Sequence, residues 1–244
     1  ASDDGINASG GSDSSQAQGP VNDQFSTSTD TGYYINIYGG YVYVTGGGDG
    51  IDSNGDLYIT GGTTIVNCTA SGGNNAIDWQ NTGAVDGGYV AAIGPDDMAT
   101  EFGSNSTQGS ILYGGTTFAA GEVITLADAD GNAIFSFTPT TSGASLLLSA
   151  PAVTDGSSYT IYTGGTSTGT DGFTVGGTVG GTEVATVTAE SGSSYSTGGG
   201  QGNTFGGGGQ MQGDQPGGGT QGGQPGSGTA PTGGGQQGGT APNA

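Results

Sequence analysis

Acidic residues recur in one short phrase along the first part of the chain. The phrase reads Asp-Gly-Ile-Asn or Asp-Gly-Ile-Asp, and its third copy is Asn-Ala-Ile-Asp. Stacked copies would align two columns of oxygen-bearing side chains: Asp4, Asp49 and Asn75 in one, and Asn7, Asp52 and Asp78 in the other. Like charges directly opposite each other destabilise a sheet, so such columns need protonation or a cation.

Calcium is the cation that this chemistry favours. The chain has no Lys, Arg or His, whereas Asp and Glu total 21, and Ca²⁺ takes about six to eight oxygen ligands. Asp56 extends the candidate set, because the segment from Asp52 to Asp56 resembles part of an EF-hand loop, with Thr63 where that loop requires Glu. The alternative interpretation is that these Asp and Asn residues are turn formers that bond their own backbone.

Aromatic side chains are the second group whose spacing could bind a ligand. Alternation from Tyr34 onward predicts the tyrosines on outward positions of strands, with Trp79 at a corner. A rigid face of such rings offers apolar surface and hydroxyls to sugars. The predicted carbohydrate-binding residues are Tyr34, Tyr38, Tyr41, Tyr43, Tyr58, Trp79 and Tyr89. The alternative is that the rings pack across strands or lie under loop 11–32.

The composition argues against several functions. Without His, Ser/His and Cys/His nucleophile systems are excluded, and a polysaccharide lyase would lack its basic side chain. Asp96 and Asp97 offer a carboxylate pair for hydrolysis of the polygalacturonase type, although a loop pair is the preferred interpretation. The net charge of −21 repels nucleic acids and anionic membranes, so we expect neither as a partner.

Glycine pairs predict the elements that position these residues. Gly39-Gly40 recurs as Gly61-Gly62 and as Gly87-Gly88, between alternating strands that show no helical period. Such repeats are typical of a solenoid, so the sequence predicts a parallel β-helix over residues 1–109, interrupted by the inserted loop 11–32. Two interior columns are expected: Ile6, Ile51 and Ile77 in one, and Ile37, Ile59 and Val85 in the other.

The rest of the chain predicts an antiparallel β cap over residues 110–190. Asp130-Gly131 between two alternating runs is a strong hairpin signal. Further strands are expected at residues 146–148, 159–162, 173–175 and 184–188. Residues 191–244 are rich in Gly, Gln and Pro and are predicted to be a disordered tail. Because the chain opens inside a repeat phrase, we expect it to be a piece of a longer protein.

Three segments carry a resemblance to a known family: SDDGINASGG, GGYVYVTGGGDGIDSNGDLYITGGTTIVN and ILYGGTTFAAGEVITLADADGNAIFSF. Over about residues 1–190 the chain resembles the bacterial carbohydrate-binding-domain family of secreted β-helix proteins from anaerobic biomass degraders. The resemblance implies a right-handed, pectate-lyase-like β-helix without lyase activity, bound calcium, and affinity for cellulose or polygalacturonate. The phrases containing Asp4, Asp49 and Asp52 match the family's repeat, whereas Asn75-Ala76 departs from it.

These observations predict a calcium-supported, non-catalytic, extracellular protein that binds plant cell-wall polysaccharide. Two alternatives stay open. One is a structural surface protein that self-associates through its open N-terminal coil. The other is a glycoside hydrolase that uses Asp96 or Asp97.

Overall fold

The computed structural model describes residues 1–8, 32–69, 73–96 and 98–190. Within these ranges the chain forms β-strands, one 3-10 turn at Thr170–Gly172 and no α-helix. No helix in this part of the chain is long and apolar enough to cross a membrane. The predicted tail 191–244, and the predicted loop 11–32 up to residue 31, lie outside the described residues.

The strands are numbered here in chain order. The first seven are β1 (Ile6–Ala8), β2 (Tyr34–Ile37), β3 (Tyr41–Gly46), β4 (Ile51–Ser53), β5 (Asp56–Cys68), β6 (Ile77–Trp79) and β7 (Gly83–Gly94). The others are β8 (Ser110–Phe118), β9 (Ile124–Ala127), β10 (Ala133–Phe137), β11 (Gly143–Ser149), β12 (Ser158–Thr163), β13 (Thr174–Val175) and β14 (Thr182–Thr188).

Three sheets contain these strands. The smallest is parallel, in the order β1-β4-β6. A larger mixed sheet has the order β2-β5-β7-β11-β8, with β3 also paired to β5. Its β2, β3, β5 and β7 are parallel, whereas β11 is antiparallel to both β7 and β8. The third sheet is antiparallel, in the order β13-β10-β9-β12-β14.

The predicted fold class is right in being all-β and wrong in its architecture. The described residues form mixed parallel and antiparallel sheets, and no closed β-helix is evident among them, so the right-handed parallel β-helix is not the fold. The parallel repeat stops at β7 because β11 pairs antiparallel along Val90 to Gly94. That pairing occupies the edge of β7 that a further coil would need.

The predicted register of the repeats is confirmed. Ile6 pairs with Ile51, which pairs with Ile77, and Ile59 lies between Ile37 and Val85. Ile51, Ile59 and Val85 have no exposed surface. Burial of one such side chain is worth about 1.5–3 kcal/mol, which explains why this register is strongly preferred.

Strand β7 of the mixed sheet is buried against other strands on both faces. Ala92 of β7 packs in one cluster with Ile51 and Ile77 of the small parallel sheet. Its neighbour Ile93 packs in a second cluster with Phe135 of the antiparallel sheet. Because successive residues of a strand point to opposite faces, the sheet has a core on each side.

The predicted antiparallel strands are confirmed. β9 and β10 form a hairpin around Asp130-Gly131, and Gly131 has the positive φ of 81° that this turn requires. Asp128 closes the loop by accepting hydrogen bonds from the backbone N–H groups of Asp130 (3.0 Å) and Asn132 (2.8 Å). Strands β11, β12, β13 and β14 lie where the sequence predicts them, although β13 begins one residue later, at Thr174.

Candidate functional site

Three of the predicted metal ligands come together in the structure. Asp4, Asp49 and Asp52 each offer a carboxylate oxygen that lies within 4.8 Å of the other two. Asp49 and Asp52 are buried, with 8% and 7% of their surface exposed, and Asp4 is half-buried. Two oxygens bound to one Ca²⁺ at about 2.4 Å can lie at most about 4.8 Å apart, so this spacing is compatible with a shared ion.

The glycine that follows the acid in each phrase positions the cluster. A Cβ on Gly5 would lie 2.5 Å from the carbonyl oxygen of Gly50 and would clash with Val44. A Cβ on Gly50 would clash in the same way with Val66 and with the Ala76 carbonyl. The phrase therefore needs glycine so that the small parallel sheet can lie close against β3 and β5.

The third copy of the phrase satisfies the same packing in another way. It has Ala76 where the earlier copies have glycine. The residue that pairs with Val66 on β7 is Ala92, which is smaller than valine. Ala76 and Ala92 lie in the same buried cluster, so the methyl group gained at one position is matched by the volume lost at the other.

Hydrogen bonds join each acid to the next copy of the phrase. Asp4 Oδ1 accepts from the Asp49 N–H at 2.8 Å, and Asp49 Oδ1 accepts from the Asn75 N–H. Asn75 continues outward through its amide, which donates to the Met98 carbonyl at 2.6 Å. The acids therefore bind the backbone of a neighbouring copy, which differs from the local turn bonds of the alternative interpretation.

The remaining predicted ligands lie beside this cluster or elsewhere. Asn7 donates its amide to Asp4 Oδ2 and pairs with Asp52 in the register of β1 and β4. Asp78 pairs with Asp52 from the other side, but its Oδ1 accepts the Trp79 N–H at 2.8 Å. Burial raises the pKa of Asp78 above its usual 3.8, and the Trp79 hydrogen bond partly opposes that change.

Asp56 is not a member of the acidic cluster. It begins β5 and pairs in register with Tyr34, so its alternation places it with the outward residues of that strand. The neighbouring Leu57 and Ile59 are fully buried on the opposite face. The EF-hand resemblance therefore predicted a ligand that the strand directs elsewhere.

Three of the predicted sugar-binding tyrosines are exposed. The exposed fractions are 64% for Tyr34, 77% for Tyr38 and 43% for Tyr41. Asn36 lies on the same face as Tyr34, donates its amide to the Tyr38 hydroxyl at 3.2 Å, and pairs in register with the half-buried Tyr58. These five residues, four on β2, β3 and β5 and Tyr38 just after β2, are called the tyrosine face below. Tyr33, which the sequence argument missed, is 37% exposed beside it.

Three other predicted sugar-binding residues, Trp79, Tyr43 and Tyr89, are buried or half-buried, as the alternative interpretation of packed rings would have it. Trp79 is only 5% exposed and stacks on Phe102, with ring centroids 5.4 Å apart. Its indole lies over Gly83, where any Cβ would clash with the ring. Tyr43 and Tyr89 are half-buried and pack against the cluster that contains the antiparallel sheet. Tyr89 of β7 packs edge-on against Phe135 of that sheet and against Phe173, contacts that alternation alone could not indicate.

Asp171 was missed altogether by the sequence argument. The Tyr41 hydroxyl donates to the Thr170 carbonyl at 3.0 Å and lies beside the Asp171 carboxylate. Partial burial of the phenol, followed by the charge and hydrogen bonding of Asp171, raises the pKa of Tyr41 to about 12. Asp171 belongs to no repeat phrase, so only its position in a Thr-Asp-Gly turn sequence could have drawn attention to it.

The sequence also suggested a hydrolase pair, Asp96 and Asp97. Asp96 lies just beyond the end of β7, and Asp97 lies outside the described residues.

Comparison of the chain with protein-family models, with curated proteins and with solved structures finds no match. Fold and site together define an all-β protein with a buried acidic cluster and an exposed tyrosine face. The resemblance to the carbohydrate-binding-domain family stays a prediction.

Proposed function

We propose that this chain is an extracellular, non-catalytic carbohydrate-binding protein whose tyrosine face contacts plant cell-wall polysaccharide. The observation that carries the proposal is the exposure of Tyr34, Tyr38 and Tyr41, at 64%, 77% and 43%. Large apolar side chains in the rest of the described chain are mostly buried. Exposed rings that also carry hydroxyls suit a ligand with apolar C–H faces and polar edges, which is the character of a sugar ring.

The arrangement of the face favours an extended chain as ligand. Tyr34 and Asn36 occupy alternate positions of β2, so their side chains point to the same side, and the Asn36 amide reaches the Tyr38 hydroxyl just beyond the strand. At about 3.3 Å per residue the Cα atoms of Tyr34 and Tyr38 are about 13 Å apart, which is longer than a single sugar ring. The Asn36 amide donates one N–H to the Tyr38 hydroxyl, and its carbonyl oxygen and second N–H can hydrogen-bond to sugar hydroxyls.

Calcium is proposed as a structural ion at Asp4, Asp49 and Asp52. Burying carboxylates is costly unless they are neutralised, and the chain contains no Lys, Arg or His to do so. Asp4 precedes β1, whereas Asp49 and Asp52 flank the start of β4. An ion held by all three would join these two strands of the small sheet, so it would support the fold and take no part in sugar binding.

A polysaccharide-binding measurement tests the main proposal. Retention on cellulose and on immobilised polygalacturonate would be compared for the wild type, the double variant Tyr34→Ala/Tyr38→Ala and the control Val175→Ala. Val175 is 55% exposed on β13, in a different sheet. Removing both rings is expected to weaken binding by about tenfold or more, because one contact residue of this kind is worth over about 1 kcal/mol. Equal binding by the double variant and the control, or no binding by the wild type, would contradict the proposal.

Self-association is a second candidate function, and the edge of the mixed sheet favours it. The backbone of Gly39 and Gly40 lies directly over Gly62, within 2.5–2.8 Å of where its Cβ would be. Over Gly39 and Gly40 themselves no atom of the described chain lies within 4 Å. A matching glycine corner of another copy could pack there, and light scattering over a range of protein concentrations would detect it. A monomer at every concentration would remove this candidate.

A further inference from the structure

The tyrosine face ends at a carboxylate held in an unusual backbone conformation. Asp171, at φ 47° and ψ 33°, is the only non-glycine residue with positive φ among the described residues. Short polar residues tolerate this region at some cost, so a defined turn must hold it. The turn is held by hydrogen bonds from the Phe173 N–H to the Thr170 carbonyl (2.9 Å) and from Ser167 Oγ to the Gly172 carbonyl (2.7 Å).

Tyr41 joins this turn to the tyrosine face. Its hydroxyl donates to the Thr170 carbonyl at 3.0 Å, across 129 residues of sequence, while 43% of the side chain stays exposed. The Asp171 carboxylate lies beside the same hydroxyl and is itself exposed. The one hydrogen of the phenol is donated to the Thr170 carbonyl, and a carboxylate has about four acceptor positions, so Asp171 can accept hydrogen bonds from a ligand on the exposed ring.

We propose that Asp171 is a specificity-determining residue that makes the tyrosine face select neutral glycans over glycans built from uronic acids. The proposal rests on the carbohydrate-binding function proposed above. A hydroxyl of a neutral sugar would donate a charge-assisted hydrogen bond to Asp171. A uronate would instead bring a second negative charge, and the chain contains no Lys, Arg or His that could offset it. Repulsion acts over about 8 Å at physiological ionic strength, so it reaches a sugar on Tyr41.

Affinities for a matched pair of oligosaccharides test the proposal. Cellohexaose and hexagalacturonate would be titrated calorimetrically into protein dialysed free of unbound calcium, at low and high salt. The variants are Asp171→Asn, which removes the charge in a similar shape, and Asp171→Gly, which also tolerates positive φ. Asp130→Asn is the control, because it removes one negative charge from the exposed β9–β10 loop.

The wild type is expected to bind cellohexaose at least about tenfold more tightly than hexagalacturonate. Asp171→Asn should reduce this ratio by about tenfold, since a hydrogen bond to a charged group is worth about 1.5–3 kcal/mol. Asp130→Asn should leave the ratio of the two affinities unchanged. High salt should bring the affinity ratio of the wild type closer to that of Asp171→Asn. Asp171→Gly should reproduce the loss of selectivity if the carboxylate itself is responsible.

The possible failures are distinguishable. If the wild type binds neither oligosaccharide, the carbohydrate-binding function itself is wrong, and the role of Asp171 with it. If the wild type binds but both Asp171 variants keep its ratio, the tyrosine face is a sugar site and Asp171 does not determine its specificity. A wild-type preference for hexagalacturonate would likewise overturn the proposal for Asp171 alone.

Discussion

Asp4 Oδ1 accepts a 2.8 Å hydrogen bond from the backbone N–H of Asp49, which lies 45 residues further along the chain. Asp49 Oδ1 accepts the Asn75 N–H in the same way in the next copy. The carboxylates therefore connect successive copies through hydrogen bonds. An Asn side chain could accept the same hydrogen bond without the charge, so charge and hydrogen bonding can be separated experimentally.

The variant Asp49→Asn makes that separation. The wild type is expected to melt at a higher temperature in calcium than in chelator. When the calcium concentration is a hundredfold above the dissociation constant, the free energy of unfolding should rise by about 2.7 kcal/mol. Asp49→Asn should lose most of this gain, because it removes one ligand charge. In chelator it should be more stable than the wild type, because one buried negative charge is gone.

Asp130→Asn is the control for the calcium experiment, since its loop lies outside the acidic cluster. Its calcium-dependent gain should equal that of the wild type. Equal melting temperatures of the wild type in calcium and in chelator would show that the three acids act only as hydrogen-bond acceptors.

Gly50→Ala is expected to destabilise the fold by about 1–3 kcal/mol, the usual cost of overpacking. The added methyl would clash with Val66 and with the Ala76 carbonyl. The double variant Gly50→Ala/Val66→Ala should recover part of the loss, because Ala76 and Ala92 already coexist in the next copy. Chemical denaturation would measure the free energy of unfolding of the wild type, the single variant and the double variant.

Gly39→Ala is the matched control for this experiment. A Cβ at Gly39 would meet no atom of the described chain within 4 Å, and its φ is not positive. Its effect should stay within about 0.5 kcal/mol. A comparable loss in Gly39→Ala, or no rescue by Val66→Ala, would contradict the packing account of the repeat phrase.

The sequence could predict those features that depend on neighbouring residues. Alternation has a period of two, so the inward positions of Ile59 and Val85 follow from local pattern alone. The repeat phrase then aligns Ile51 with Ile77, because any other register would leave apolar side chains exposed. The same reasoning aligned Asn7, Asp52 and Asp78 in one column, as the register shows, but it placed Asp4 and Asp49 in a separate column and did not indicate that Asp52 lies close to both.

Long-range cover of the outward face could not be predicted in this way. Tyr38 and Tyr43 are both predicted to point outward, but the first is 77% exposed and the second is half-buried against the cluster that contains Phe135. Asp171 reaches Tyr41 only through the docking of a distant turn. The residue pattern of a strand identifies its two faces, but which other strands pack on each face depends on tertiary contacts that the local sequence does not encode.

The β9–β10 hairpin should depend on pH through Asp128. Hydrogen bonds from the Asn132 side chain, and then from the Asn132 N–H, hold the pKa of Asp128 below its usual 3.8. The native state therefore favours the ionised form, and this stabilisation is fully present above pH 3.8 and lost as pH falls through the folded pKa. Asp128→Ala should lower the free energy of unfolding at neutral pH, and its difference from the wild type should shrink below pH 3.8.

Asp128→Asn completes the pH experiment, because it keeps an acceptor for the N–H groups of Asp130 and Asn132 without a charge. Its stability should lie between those of the wild type and Asp128→Ala at neutral pH. A deficit of Asp128→Ala that stays constant from neutral pH to below the usual carboxyl pKa would show that ionisation of Asp128 plays no part.

Thr64→Val should stabilise the protein. Thr64 is fully buried between Val42 and Val90 in the parallel register, and its Oγ1 has no hydrogen-bond partner among the described residues. A buried hydroxyl without a partner costs about 1–3 kcal/mol, and valine would replace it with a methyl group of similar size. We therefore expect the free energy of unfolding to rise by about 1 kcal/mol, as measured by urea denaturation.

Thr125→Val provides the opposite case in the same chain. Thr125 is also buried, with 1% of its surface exposed, but its hydroxyl bonds Ser136 Oγ at 2.8 Å. The valine there would leave the buried Ser136 hydroxyl without that partner, so stability should fall by about 1–3 kcal/mol. Both substitutions replace a hydroxyl with a methyl group, but they should change the free energy of unfolding in opposite directions. If Thr64→Val destabilises the protein as Thr125→Val does, the Thr64 hydroxyl has a partner, such as an ordered water, that contributes to stability.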